Sequence, residues 1–244
     1  MANIGIIGAG SWGIALSILL YNNGNKVTVW SVIEDEIKML NEKREHERCL
    51  PGVKLPDDMV FTTDLEHTIK NAELLVLAVP SVYTRSTSKS MSGYVREGQI
   101  IVNVAKGIEE NTLKTLTQII EEEIPCADVA ALSGPSHAEE VSRSSPTTCV
   151  VAAHSRETAE YIQNIFMSEN FRVYTTPDIL GVELGGSLKN VIALAAGIAD
   201  GLGYGDNTKA ALITRGITEI ARLGIAMGGK IQTFSGLSGI GDLI

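Results

Sequence analysis

The feature that most restricts the fold of this chain lies at its start. The apolar run Ile4-Gly5-Ile6-Ile7 passes directly into Gly8-Ala9-Gly10-Ser11-Trp12-Gly13, and Ile14 to Tyr21 continues with helical character until Asn22-Asn23-Gly24. Strand, glycine turn and helix in this order form the context that a dinucleotide-binding fingerprint requires. Gly8 permits the tight turn, Gly10 lets backbone approach a pyrophosphate, and Gly13 lets the helix lie close to the sheet. The free N–H groups at the helix start then hold phosphate. The next strand is expected at Lys26 to Trp30. Its end normally distinguishes the dinucleotides: an acid there binds the ribose 2'-hydroxyl of NAD, and an arginine nearby accommodates the 2'-phosphate of NADP. Here Ser31-Val32-Ile33 follows, with acids at Glu34 and Asp35 where a helix begins. Ser31 can serve either form, so the cofactor is NAD or NADP.

The remainder of the first half continues this pattern. Glu34 to Arg48 reads as a charged helix with Ile37, Met39 and Leu40 inward, Pro51 to Asp58 as a loop, and Thr63-Asp64 as a cap for a helix over Leu65 to Asn71. The continuous apolar run Leu74 to Val79 suits a strand buried on both faces of a parallel sheet, and Gly98 to Ala105 and Val129 to Leu132 read likewise. Ligands of such sheets bind beyond the carboxyl ends of the strands. The glycine turn, Val79-Pro80-Ser81, Lys106-Gly107 and Ser133 to Ser136 would line that one edge. Lys106 can equally be an exposed loop lysine, and Ser136 reads as the N-cap of a helix through Glu139-Glu140-Val141. Thr148 to Ala153 and Phe171 to Thr175 extend the sheet around a helix at Thr158 to Met167.

After Pro177 the character changes. Val182 to Asp200 is apolar nearly all round, with Val182, Leu188, Val191, Ile192, Ala195 and Ile198 at helical spacing, so it reads as the core helix of a second domain. It is read as too short and too rich in Gly, Ser and Asn to span a membrane. Between Leu184 and Ala199 its one charged residue is Lys189, which has no acid one turn away. That lysine either snorkels outward to a distant carboxylate or faces a site as a desolvated amine. A second long helix is expected from Asn207 to Met227, and the glycine-rich segment Ser235 to Ile244 carries Asp242. The expected fold class is α/β: a Rossmann-type doubly wound sheet over residues 1–177, followed by an all-helical domain over 178–244.

Composition removes several alternatives. A net charge of -9 without a basic cluster argues against nucleic acid or an anionic membrane as partner. Cys49, Cys126 and Cys149 form an odd set without metal spacing, which suits free thiols in a reducing cytosol. The four histidines also lack ligand spacing, so no metal is expected. With an apolar strand read directly after Met1-Ala2-Asn3, no signal peptide is expected, and no repeat or low-complexity tract is read.

At this point the motifs converge on a known family. Gly8-Ala9-Gly10-Ser11-Trp12-Gly13, Val79-Pro80-Ser81, Lys106-Gly107, Ser133-Gly134-Pro135, Gly185-Gly186-Ser187-Leu188-Lys189-Asn190-Val191, Ala211 to Gly216 and Gly239-Ile240-Gly241-Asp242-Leu243 occur in that order. The whole chain resembles the bacterial NAD(P)-dependent glycerol-3-phosphate dehydrogenases. The resemblance implies reversible hydride transfer between dihydroxyacetone phosphate and sn-glycerol 3-phosphate, serving phospholipid synthesis in the cytoplasm. By position, it implies that Lys189 is the general acid/base. It places Lys106, Gly134, Ser136 and Asp242 at the substrate, and Ser11, Trp12, Lys106 and Ala138 at the cofactor. Asp242 either holds Lys189 or binds a substrate hydroxyl. A small phosphorylated substrate is thus the expected partner, and a homodimer is compatible with the chain.

The resemblance has one departure. Members of the family continue beyond the Gly-Asp-Leu motif with a Ser-Arg-Asn segment and further helices, and this sequence ends at Ile244. The helical domain is therefore expected to be incomplete relative to the family and to leave apolar helix surface uncovered. Two other readings compete: a β-hydroxyacid or 6-phosphogluconate-type dehydrogenase, and a non-catalytic dinucleotide-binding fragment.

Overall fold

The first βαβ unit sets the architecture. In the computed structural model, which describes residues 1–244, β1 (Asn3–Ile7), α1 (Ser11–Asn22) and β2 (Lys26–Trp30) follow the expected order, and β1 and β2 pair in parallel. Gly8 stands at φ +116, a conformation that side chains disfavour, and a Cβ on Gly13 would fall 2.0 Å from the Gly8 carbonyl oxygen. The turn therefore closes only with glycine at both positions.

Next come α2 (Glu34–Lys43), the short strands β3 (Glu45–His46) and β4 (Leu50–Lys54), β5 (Val60–Thr62) and α3 (Leu65–Lys70). The helix expected to reach Arg48 stops at Lys43, because Arg44 takes a left-handed conformation (φ 49) and the chain turns into the β3–β4 hairpin. Leu50 to Lys54 is thus strand where a loop was expected from Pro51, and β5 was not anticipated. Asp64 caps α3 as expected, its Oδ1 accepting from the His67 N–H at 2.8 Å.

The sheet then grows through β6 (Leu74–Leu77), α4 (Thr84–Met91), β7 (Ile100–Asn103), α5 (Leu116–Glu123), β8 (Asp128–Ser133), α6 (Ala138–Ser142), β9 (Thr147–Ala153), α7 (Arg156–Phe166) and β10 (Phe171–Thr176). The strand order is β10-β9-β8-β7-β6-β1-β2-β5. Strand β1 has β2 on one side and β6 on the other, so the order reverses there, and a crevice opens beyond the carboxyl ends of β1 and β6. The sheet is not wholly parallel: β9 runs antiparallel to β8, and β10 is parallel to β9. The main core lies on one face under α1 and α7, with a second cluster on the other face around Ile7, Leu75, Leu77 and Ile120.

Three helices follow: α8 (Ile179–Gly201), α9 (Asp206–Ala226) and α10 (Ile231–Phe234), with a π-turn over Leu237–Gly241. Asp178 anchors this part, its carboxylate accepting from the N–H groups of Gly181 at 3.0 Å and Lys230 at 2.8 Å. Helix α8 departs from the core helix expected of it. Ile179 and Gly181 to Gly186 are buried, but Val191, Leu194 and Ile198 are exposed. The core it shares with α9 and α10 is small, centred on Leu184, Ile220 and Phe234. At 23 residues α8 is also long and apolar enough to cross a membrane by length and composition, contrary to the shorter span read from sequence. Its first turns pack instead against the sheet, and a membrane interior would have to accommodate Glu183 and Lys189.

The close approach at Gly13 has a measurable consequence. Gly13→Ala is expected to destabilise the fold by at least about 2 kcal/mol, since the clash is with backbone that cannot rotate away. Urea denaturation followed by circular dichroism measures this, and an unchanged midpoint would show that the turn is looser than described.

Candidate active site

Three charged side chains from distant parts of the sequence meet at the edge of the sheet. Lys106 stands in the turn after β7, Lys189 projects from the middle of α8, and Asp242 follows the π-turn. The Nζ of Lys189 pairs with Asp242 Oδ1 and the Nζ of Lys106 with Asp242 Oδ2. The Asp242 side chain is 2% exposed, against 22% for Lys106 and 19% for Lys189. Lys106 also donates to the Gly134 carbonyl at 3.1 Å. Burial pulls the Lys106 ammonium below its ordinary range, Asp242 holds it up, and the charge of Lys189 adds to the lowering. The sequence left Lys189 between a distant carboxylate and a site, and the structure gives it the distant carboxylate, which it shares with Lys106.

Local packing explains why these groups can meet. A Cβ on Gly186 would come within 2.6 Å of Ser133 Oγ and 3.5 Å of the Lys106 side chain, so at this position α8 meets the end of β8 only without a side chain. Ser187, one residue on, bridges the Gly107 backbone: its hydroxyl accepts from the Gly107 N–H at 2.9 Å and lies 3.1 Å from the Gly107 carbonyl. Glu183, one turn earlier on α8, is buried and was not singled out from sequence. Its carboxyl accepts from the Thr117 N–H at 2.9 Å and from Asn103 Nδ2 at 3.3 Å, and it also meets the Thr117 hydroxyl. Burial pushes this carboxyl up, against the donors that hold it down. Protonation would require only the Thr117 hydroxyl contact to reverse. The sequence signal for Glu183 was an acid among otherwise apolar residues at the start of a buried helix.

The other expected residues are distributed along the crevice. Gly8 and Gly10 line a cleft of about 680 Å³ together with Trp30, Ser31, Pro80 and Tyr83. A Cβ built on Gly10 would meet nothing within 4 Å, so this part of the turn faces open space. The N–H groups at the start of the 12-residue α1 emerge here, beginning at Ser11. The Trp12 indole N–H donates to the Val104 carbonyl at 3.2 Å, which ties α1 to the chain leading into Lys106. This donor set, phosphate-binding backbone beside an apolar-walled cleft, fits a dinucleotide. Ser136 does not cap a helix as expected. Its hydroxyl donates to the Gly134 carbonyl at 3.0 Å, and α6 has His137 at its N-cap. Ala138 is buried in the main core. The acid that reaches the cleft at the end of β2 is Glu36, whereas sequence pointed to Glu34 and Asp35.

The comparisons with known proteins agree on one family. The model for the N-terminus of NAD-dependent glycerol-3-phosphate dehydrogenase matches residues 3–159, and the model for its C-terminus matches residues 178–244. A glycerol-3-phosphate dehydrogenase [NAD(P)+] of Agathobacter rectalis is 68% identical over 244 residues, covering all of this chain and 73% of the relative. The enzyme of the same name from Fusobacterium nucleatum is 60% identical over 246 residues and is covered to 73% of its length. Among solved structures, the glycerol-3-phosphate dehydrogenase of Coxiella burnetii superimposes with a TM-score of 0.95 at 36% identity, over 99% of this chain and 74% of that one.

The buried carboxyl of Glu183 yields an expectation about pH. Its folded-state value lies above the ordinary carboxylate value of 4.5. The folded chain therefore binds this proton more tightly than the unfolded chain, and stability should fall as pH rises from about 4.5 through the raised value. Glu183→Gln should remove that part of the slope, as read from urea midpoints between pH 4 and 8. An unchanged slope would mean that Glu183 titrates alike in both states.

Proposed function

This chain belongs to the NAD-dependent glycerol-3-phosphate dehydrogenase family, and from that membership we propose that it reversibly reduces dihydroxyacetone phosphate to sn-glycerol 3-phosphate. The observation that carries the reading is the pair of ammonium groups on one buried carboxylate at the edge of the dinucleotide-type sheet. Residues 1–177 hold NAD or NADP and residues 178–244 supply Lys189 and Asp242. Gly8, Gly10, Ser11, Trp12, Gly13 and Ser31 form the cofactor side. Lys106, Gly134 and Ser136 face the substrate, with Lys106 also beside the cofactor. The buried side chain of Ala138 leaves only its backbone for such a contact.

When bound, the nicotinamide supplies or accepts the hydride. The chain's own task concerns charge and a proton. As the substrate carbonyl is reduced, negative charge grows on its oxygen, and the Lys189 ammonium stabilises that charge and delivers a proton to it. In reverse, the neutral amine removes the hydroxyl proton. Asp242 has both oxygens occupied by lysines, which favours its holding the two cations over binding a substrate hydroxyl. The group carries a net charge of +1 (two ammonium groups and one carboxylate), which suits a phosphorylated substrate in an otherwise acidic chain. The product serves phospholipid synthesis in the cytoplasm.

The test is oxidation of NADH and NADPH, dependent on dihydroxyacetone phosphate, by the 244-residue chain. Lys189→Ala is expected to lower kcat by about 10²- to 10⁴-fold while leaving dinucleotide binding intact. Binding of the dinucleotide with no turnover would contradict the proposal and leave a non-catalytic binding protein.

A further inference from the structure

The end of β2 carries a network in which Ser31 alone has been given a role. Ser31 is buried, its hydroxyl donates to Glu36 Oε2, and its oxygen accepts from the Ile33 N–H at 3.2 Å. On its other oxygen, Glu36 Oε1 lies 3.0 Å from Nε2 of the buried His46. The Cys49 N–H donates to His46 Nδ1 at 3.2 Å. In the neutral ring this leaves the proton on Nε2, so His46 donates to Glu36. A residue of the β3–β4 hairpin therefore holds a carboxylate of α2 at the mouth of the cleft, next to the serine that ends β2. Ser31 and Glu36 both line that cleft, close to the glycine turn.

The hydrogen-bonding capacity of this pair is one-sided. The Ser31 proton is committed to Glu36, so Ser31 can offer a ligand only a lone pair, and the ionised Glu36 can only accept. Two acceptors suit a ribose diol, which has two hydroxyl protons to donate. They oppose a phosphate, which brings negative charge and oxygen acceptors. The remaining groups here do not reverse this. Val32 and Ile33 are exposed apolar residues, and no lysine or arginine lines the cleft. Lys38, Lys43 and Arg48 line a separate hollow that shares Ile33 and Glu36 with it, and Lys43 already pairs with Glu47.

We propose that Glu36, positioned by Ser31 and His46, makes this chain select NAD(H) over NADP(H) at the adenosine ribose. The proposal rests on the cleft being the dinucleotide site of the reading above, and it goes further by naming the residue that discriminates. A 2'-phosphate would place like charge against a carboxylate that neighbouring donors prevent from turning away, whereas a 2'-hydroxyl would donate to it.

Equilibrium binding of NADH and NADPH to the intact chain, followed by the fluorescence of the dinucleotides themselves, tests this without any turnover. NADH is expected to bind at least about tenfold more tightly than NADPH, as like-charge juxtaposition requires. Glu36→Gln, which keeps the side-chain shape, should narrow that ratio mainly by improving NADPH binding. Equal or tighter binding of NADPH by the unaltered chain, a ratio unchanged in Glu36→Gln, or NADPH binding lost in Arg48→Ala would each overturn the proposal. Selective NADH binding without reduction of dihydroxyacetone phosphate would sink the catalytic reading and leave this one standing. If neither dinucleotide binds, both are overturned.

Discussion

Two ammonium groups sharing the carboxylate of Asp242 are the interaction on which the rest of this structure depends. Lysines whose side chains are about four-fifths buried are costly unless paired, and two together are more so. Asp242, almost wholly inaccessible, offsets both, one oxygen to each. The three residues belong to the turn after β7, the middle of α8 and the turn after Leu237–Gly241, so the ion group also fixes how the helical part sits on the sheet. What remains after pairing is a net charge of +1 on the group. The geometry is therefore a structural clamp.

The clamp works because α8 is held on the sheet by contacts that precede Lys189 along the helix. Glu183 engages Thr117 and Asn103, Gly186 lets the helix meet Ser133 without a side chain between, and Ser187 bridges the Gly107 backbone. Past that point the helix leaves the sheet, and its apolar residues face outward. Lys189 stands where the buried part of this helix gives way to its exposed part. At the opposite end of the crevice, the Gly8 to Gly13 turn, Ser31 and Glu36 face the space beyond β1 and β2. Trp12 links the two regions through its bond to Val104.

Much of this was legible in the sequence, for identifiable reasons. The glycine fingerprint and the buried parallel strands are local signals, and β1, α1 and β2 fall where spacing put them. The family motifs brought Lys106, Lys189 and Asp242 together before any geometry was known. What the sequence hid depended on long-range pairing or on backbone conformation. Arg44 ends α2 early by adopting a left-handed turn that few residues other than glycine announce. The antiparallel direction of β9 has no imprint on an apolar strand. Periodicity alone made α8 a core helix on all sides, whereas the comparison with the family's motifs already pointed to uncovered apolar helix surface. Glu36 escaped notice because it lies inside a helix, and only the hairpin that carries His46 turns it toward Ser31.

Asp242 and Lys189 are coupled by their ion pair. A double-mutant cycle on urea stability, with Asp242→Asn, Lys189→Met and the pair together, measures that coupling most directly. A coupling free energy of about 1–3 kcal/mol is expected, with the double variant less destabilised than the sum of the singles. Additivity to within about 0.5 kcal/mol would show that the two side chains do not act on each other, and the clamp described here would not exist.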